Sequence, residues 1–140
     1  MKIKVLLCSV FVAFALASLP AHAQSPSINP GGVCESQLDS LTNTYLCAPS
    51  STLIDQTYVS IYGQNLNGLE SITFNSSATG MQPIPIDYDS STQINICLYL
   101  PETNVIGGTL TVKTSHGTTS FSSINVTTWQ PAYGMQKCTR

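Results

Sequence analysis

Apolar and polar residues alternate with period two in several short runs of this chain. The pattern is clearest in YVSIYGQNLNGLESITF, residues 58–74. Val59 and Ile61 alternate there with Tyr58, Ser60 and Tyr62, and Ile72 and Phe74 resume the pattern after Gly63, Asn65, Asn67 and Gly68. Such alternation marks half-buried strands, and a Gly/Asn cluster marks the reversal between them, so two paired strands are expected. Gly63, directly after V-x-I-x, predicts a bend or a positive φ ahead of Asn65. Its role reads as scaffold.

The remaining segments repeat the theme. Residues 24–33, punctuated by Pro26, Pro30, Gly31 and Gly32, suggest a short edge strand at 27–29 that ends in a turn. Residues 34–47, CESQLDSLTNTYLC, break the alternation. Their Ser, Thr and Asn content disfavours a helix, and a polar loop insertion is expected. Pro83 and Pro85 make residues 81–88 an edge or irregular strand. In residues 92–100, Ile94, Ile96, Leu98 and Leu100 would face inward and Asn95, Cys97 and Tyr99 outward, with Pro101 as the stop. After a loop at 104–108, residues 109–114 and 119–128 predict a hairpin around Ser115-His116-Gly117. Leu110 and Val112 match Phe121, Ile124 and Val126. Phe121 and Ile124 differ in parity, which predicts a bulge between them. No window shows helical periodicity. About seven short strands with regular turns predict an all-β fold, an immunoglobulin-like antiparallel β-sandwich.

The N-terminus changes the setting. Lys2 and Lys4 precede an apolar run at 5–19, and Pro20 precedes Ala21-His22-Ala23, so residues 1–23 are expected to be a removed signal peptide. Cys8 would leave with it. The 117 residues that remain of 140 suit one domain at 24–128 and a tail at 129–140. No later run is long enough to span a membrane. The remaining basic residues are Lys113, Lys137 and Arg140, against seven acids, for a net charge of −4. Without a Lys/Arg cluster, neither nucleic acid nor anionic lipid has a docking surface. Export to the periplasm, cell surface or medium is expected.

Four cysteines remain, Cys34, Cys47, Cys97 and Cys138, an even count that predicts two disulfides. No C-x-x-C pair exists, and His116 is distant in sequence, so no metal is expected. Cys34–Cys47 would staple the 34–47 insertion at its neck. Outward-facing Cys97 could then reach Cys138 and pin the tail over a sheet edge. Cys34–Cys97 with Cys47–Cys138 is the competing connectivity.

Catalytic chemistry finds little support. A Ser-His-acid triad would need His116, which falls in an exposed turn. Asp87 and Asp89 could pair as hydrolytic carboxylates or hold calcium, but they read as solvated loop acids without further ligands nearby. The glycines at 107–108 lack the Lys-Ser/Thr of a phosphate-cradling loop. No cofactor is implied. Asn75-Ser76-Ser77 and Asn125-Val126-Thr127 fit the glycosylation pattern and would matter in a eukaryotic secretory host. The aromatic residues are the better lead. Tyr58, Tyr62 and Tyr99 face outward, and Trp129 and Tyr133 follow the last strand. Planar side chains on a β-face can stack on sugar rings or anchor a protein partner.

Four segments in order resemble the IPT/TIG family of immunoglobulin-like domains. SINPGG at 27–32 is similar to its opening I-x-P-x-x-G, and VSIYGQNL at 59–66 to its V-x-I-x-G-x-x-F/L strand and turn. DSSTQINI at 89–96, closed by Pro101, resembles its S-x-T-x-I-x-V entry. GTLTVKTSHGTTSFSSINV at 108–126 resembles its C-terminal hairpin. The 34–47 insertion and the Cys138 tail depart from the family pattern. The resemblance implies a binding or spacer module of the kind usually embedded in larger surface proteins. The expected function is a non-catalytic binding module for a protein or carbohydrate partner at the cell surface. The alternative is a structural or accessory subunit of a surface assembly, built through strand edges.

Overall fold

The computed structural model describes residues 24–39, 44–49, 51–101, 104–128 and 137–138. The expected signal segment at 1–23 lies outside them. Among the described residues, ten strands form two five-stranded sheets. The first contains β1 (Ser27–Asp39), β2 (Thr44–Pro49), β4 (Thr57–Gln64), β7 (Ile86–Asp89) and β8 (Gln93–Leu98), in the order β2-β1-β4-β8-β7. The second contains β3 (Thr52–Ile54), β5 (Leu69–Ser76), β6 (Gly80–Pro83), β9 (Val105–Thr114) and β10 (Gly117–Thr127), in the order β3-β10-β9-β5-β6. All pairs are antiparallel except β3 with β10, which run parallel. The fold is a β-sandwich stapled by the Cys97–Cys138 disulfide. Its ten strands exceed the seven expected because short edge strands were hidden in turn-rich sequence.

Period-two alternation builds the core. Val33 of β1, Val59 and Ile61 of β4, and Ile94, Ile96 and Leu98 of β8 are buried with Ile72 and Phe74 of β5. Leu110 and Val112 of β9 and Ile124 and Val126 of β10 complete the opposing layer. Each such side chain contributes roughly 1.5–3 kcal/mol relative to exposure. The bulge expected between Phe121 and Ile124 is present, and Ser123 takes φ 64° within it. The β9–β10 turn falls at Ser115 and His116 as expected.

Several expectations need correction. The runs at 58–62 and 71–74 are not a bonded pair, because β4 and β5 lie in opposite sheets. The reversal between them contains Leu66, which is fully buried and donates its N–H to Ser91 O at 2.9 Å. A side chain driven into the core at mid-turn carries the chain across the layer gap, where a tight hairpin would have kept it in one sheet. The edge strand foreseen at 27–29 instead continues to Asp39. A register shift between Ile28 and Val33 absorbs the Pro-Gly-Gly run, with Gly31 at φ 67°.

The polar insertion at 34–47 is a hairpin and not a loop, since β1 and β2 pair from Cys34↔Pro49 to Asp39↔Thr44. Its Thr and Tyr content suits an edge strand once β1 supplies a template. The supposed loop at 104–108 opens β9, with Val105 buried. Residues 81–88 split at Ile84 and Pro85 into β6 and β7, which edge opposite sheets.

Gly63 owes its place to space and not to a positive φ. A Cβ there would stand 2.1 Å from Ser27 O and 3.1 Å from a Leu66 methyl. Asn65, two residues on, takes the left-handed conformation at φ 56°. Gly63→Val should therefore lower stability by about 2–3 kcal/mol by overpacking against backbone, whereas exposed Asn67→Ala should stay within about 0.5 kcal/mol. Urea unfolding with an unchanged m-value checks both.

Candidate binding face

The outer face of the first sheet gathers most of the described aromatic candidates. Val59, Ile61, Ile94 and Ile96 point into the core, so the residues between them face away. Directly opposed residues share a face, and the register sets Tyr58 against Cys97, Ser60 against Asn95, and Tyr62 against Gln93. Tyr88 of β7 lies on the other side of Asn95, and Cys34 of β1 on the other side of Ser60. One transverse row is therefore Cys34, Ser60, Asn95 and Tyr88. Cys34, Ser60 and Cys97 form a buried floor. Tyr58, Tyr62, Gln93 and Asn95 are half-buried, and Tyr88 is 53% exposed.

The polar groups of this face are tied together. Ser60 Oγ donates to Asn95 Oδ1 at 2.9 Å, and Gln93 Nε2 donates to the same oxygen at 3.0 Å. With Oδ1 accepting twice, Asn95 keeps its Nδ2 as a donor and Gln93 keeps its carbonyl as an acceptor. The face carries no charged side chain among these residues.

Its lower end is fixed by the step between β3 and β4. Asp55 N–H donates to Thr127 O of β10 at 2.8 Å, and Gln56 N–H to Leu98 O of β8 at 2.7 Å. The buried Asp55 carboxylate accepts from Leu100 N–H at 2.8 Å, and Gln56 O accepts from Cys138 N–H at 2.8 Å. The tail thus leaves β10 and returns at the same step. Lys137 bridges to Thr57, and Cys138 joins Cys97 beside Tyr58.

Among the sequence-derived candidates, Tyr58 and Tyr62 share this face, and Tyr99 follows β8 half-buried. Trp129 and Tyr133 lie outside the described residues. Cys34 is disulfide-bonded. Its expected partner Cys47 lies on neighbouring β2 opposite Ser36, and the Cys47 side chain lies outside the described residues.

Tyr88 escaped the sequence reading because the register shift between Ile86 and Tyr88 sets its face, and parity alone does not reveal that shift. His116 is exposed in its turn and its N–H donates to Thr114 Oγ1. Asp87 and Asp89 are exposed on edge strand β7. Among the described residues, no group of three or more His, Cys, Asp or Glu side chains could hold a metal ion. No described helix is long and apolar enough to cross a membrane.

No protein-family model matches the chain, and no curated protein matches it. Among solved structures, the chain is similar to SGBP-B of the Bacteroides ovatus mixed-linkage glucan utilization locus, determined in complex with a mixed-linkage heptasaccharide. The match has 19% identity and a TM-score of 0.43, over 75% of this chain and 24% of that one. The chain spans about a quarter of that protein's length.

Glu35 was placed in a loop by the sequence, but the β1 bulge turns it inward opposite Val59, where it is buried. Its carboxylate accepts from the Ile54 backbone N–H of β3 and so ties the sheets together. Burial raises its pKa, and the Ile54 hydrogen bond opposes part of that rise. A raised folded-state pKa contributes stability that is complete below the unfolded carboxylate pKa and is lost as pH rises through the folded value. Glu35→Gln keeps an acceptor for Ile54 without the charge. It should gain stability relative to the parent as pH rises from about 4 to 7, near the carboxylate range, as read by urea midpoints at each pH.

Proposed function

We propose that this chain is an exported, non-catalytic binding module of the IPT/TIG type that recognises a neutral glycan at the cell surface or in the periplasm. The observation that carries this reading is the run of uncharged side chains on the outer face of β4 and β8, with Tyr88 beside it. There Tyr58, Tyr62 and Tyr88 flank amides held in fixed orientation by the Ser60–Asn95–Gln93 hydrogen bonds. Tyrosine rings offer apolar faces to the C–H groups of a sugar, while oriented amides meet its hydroxyls. Pre-orientation lowers the entropy lost on binding. Tyr99, Trp129 and Tyr133 are further candidates. A structural or accessory subunit of a surface assembly is the second reading, supported by the unpaired outer edge of β7.

Affinity electrophoresis in gels containing soluble neutral polysaccharides tests the first reading. At least one polysaccharide should retard the parent. Tyr62→Ala and Tyr88→Ala should each weaken that retardation about tenfold, in line with roughly 1–3 kcal/mol for a stacked aromatic anchor. Their melting temperatures should stay near the parent's. Retardation by none of the polysaccharides, or undiminished retardation in both variants, would reject glycan recognition by this face.

A further inference from the structure

The lateral edge where the chain passes from β6 to β7 differs from the rest of the surface. All four residues of β7 are exposed. Of the four large apolar side chains exposed among the described residues, Met81 (68%), Ile86 (39%) and Tyr88 (53%) lie on β6 and β7. Among the described residues β7 is hydrogen-bonded on one side only, to β8, so its outer side presents backbone N–H and C=O groups without a described strand to receive them. The neighbouring edge β6 lacks a donor at Pro83, and edge β3 has only three residues.

Charge restricts what can pair here. Asp87 and Asp89 are exposed on β7, and no ion pair among the described residues reaches either. Lys113, on the opposite sheet, is engaged by Glu70 at 2.7 Å. A second copy adding antiparallel about Tyr88 would set Asp87 against Asp89 of the other copy, and like charges directly opposed are unfavourable. The acids therefore discourage self-pairing and favour a strand of opposite charge.

We propose that the outer edge of β7 is a docking site for an extended, cationic segment of a different protein, which adds as a sixth strand to the first sheet. Main-chain hydrogen bonds to β7 supply affinity, and Lys or Arg beside Asp87 and Asp89 supply selectivity. Apolar residues alternating with them cover Ile86. This site uses the backbone edge and the acids of β7 and shares only Tyr88 with the tyrosine face, so its failure would leave glycan binding untouched.

Hydrogen–deuterium exchange of the disulfide-intact mature chain with the synthetic peptides (Thr-Lys)4 and (Thr-Glu)4 tests the assignment. At low salt the cationic peptide should slow exchange in Ile86–Asp89 and bind about tenfold tighter than the acidic one, two charge pairs being at stake. The double substitution Asp87→Lys and Asp89→Lys, at exposed positions that leave the core intact, should invert the preference. Equal protection by both peptides, protection elsewhere or nowhere, or a concentration-dependent dimer that protects β7 without peptide would each overturn the proposal.

Discussion

The step from Asp55 to Gln56 holds the sandwich together at one end. Its two N–H groups bond to β10 in one sheet and to β8 in the other, and the buried Asp55 carboxylate satisfies Leu100 N–H as the chain leaves β8. Gln56 O then receives the returning tail at Cys138. Gln56 takes φ 63°, so this concentration of bonds is made at a conformation that L residues seldom adopt. Buried backbone groups left unpaired here would cost about 1–3 kcal/mol each, enough to fix where both sheets end. The disulfide reinforces the same corner. By closing a span of 41 residues it restrains the unfolded chain by about 4 kcal/mol on the chain-entropy model.

The proposed binding surface follows from that corner. Tyr58 stands one residue past the bridge between Thr57 and Lys137, and opposite Cys97. The strands that carry Tyr58, Tyr62, Gln93 and Asn95 are the central β4 and its neighbour β8, whose core sides are fully buried. A face on central strands is rigid, and rigidity suits recognition of a ligand by stacked rings and fixed amides. Edge strand β7 lies beside the same face and offers a different chemistry, backbone groups and negative charge. One sheet thus presents two surfaces with little in common except Tyr88.

The sequence showed the core strands well. Ile94, Ile96 and Leu98 point inward as their spacing required, and the Phe121–Ile124 parity change marked a bulge that the structure contains. Cys97, outward by the same parity, reached Cys138 as expected. Tertiary partners decided the rest. Cys34 to Asp39 lacks apolar alternation, yet it forms a strand because β4 and β2 receive its backbone. Leu66 read as part of a reversal, and its burial made that reversal a crossing between sheets. Glu35 and Tyr88 were missed for a common reason. A register shift upstream of each resets which face it occupies, and local alternation does not count residues that a bulge absorbs.

The central claim is that the outer face of the first sheet receives a ligand. Titration of 15N-labelled residues 24–140 with a soluble neutral oligosaccharide, followed by backbone and side-chain amide shifts, addresses it directly. Saturable shifts at Tyr58, Tyr62, Tyr88 and the side-chain amides of Gln93 and Asn95, with β5 and β9 unmoved, are the predicted result. Shifts centred on the second sheet, or none for any neutral oligosaccharide, would contradict it.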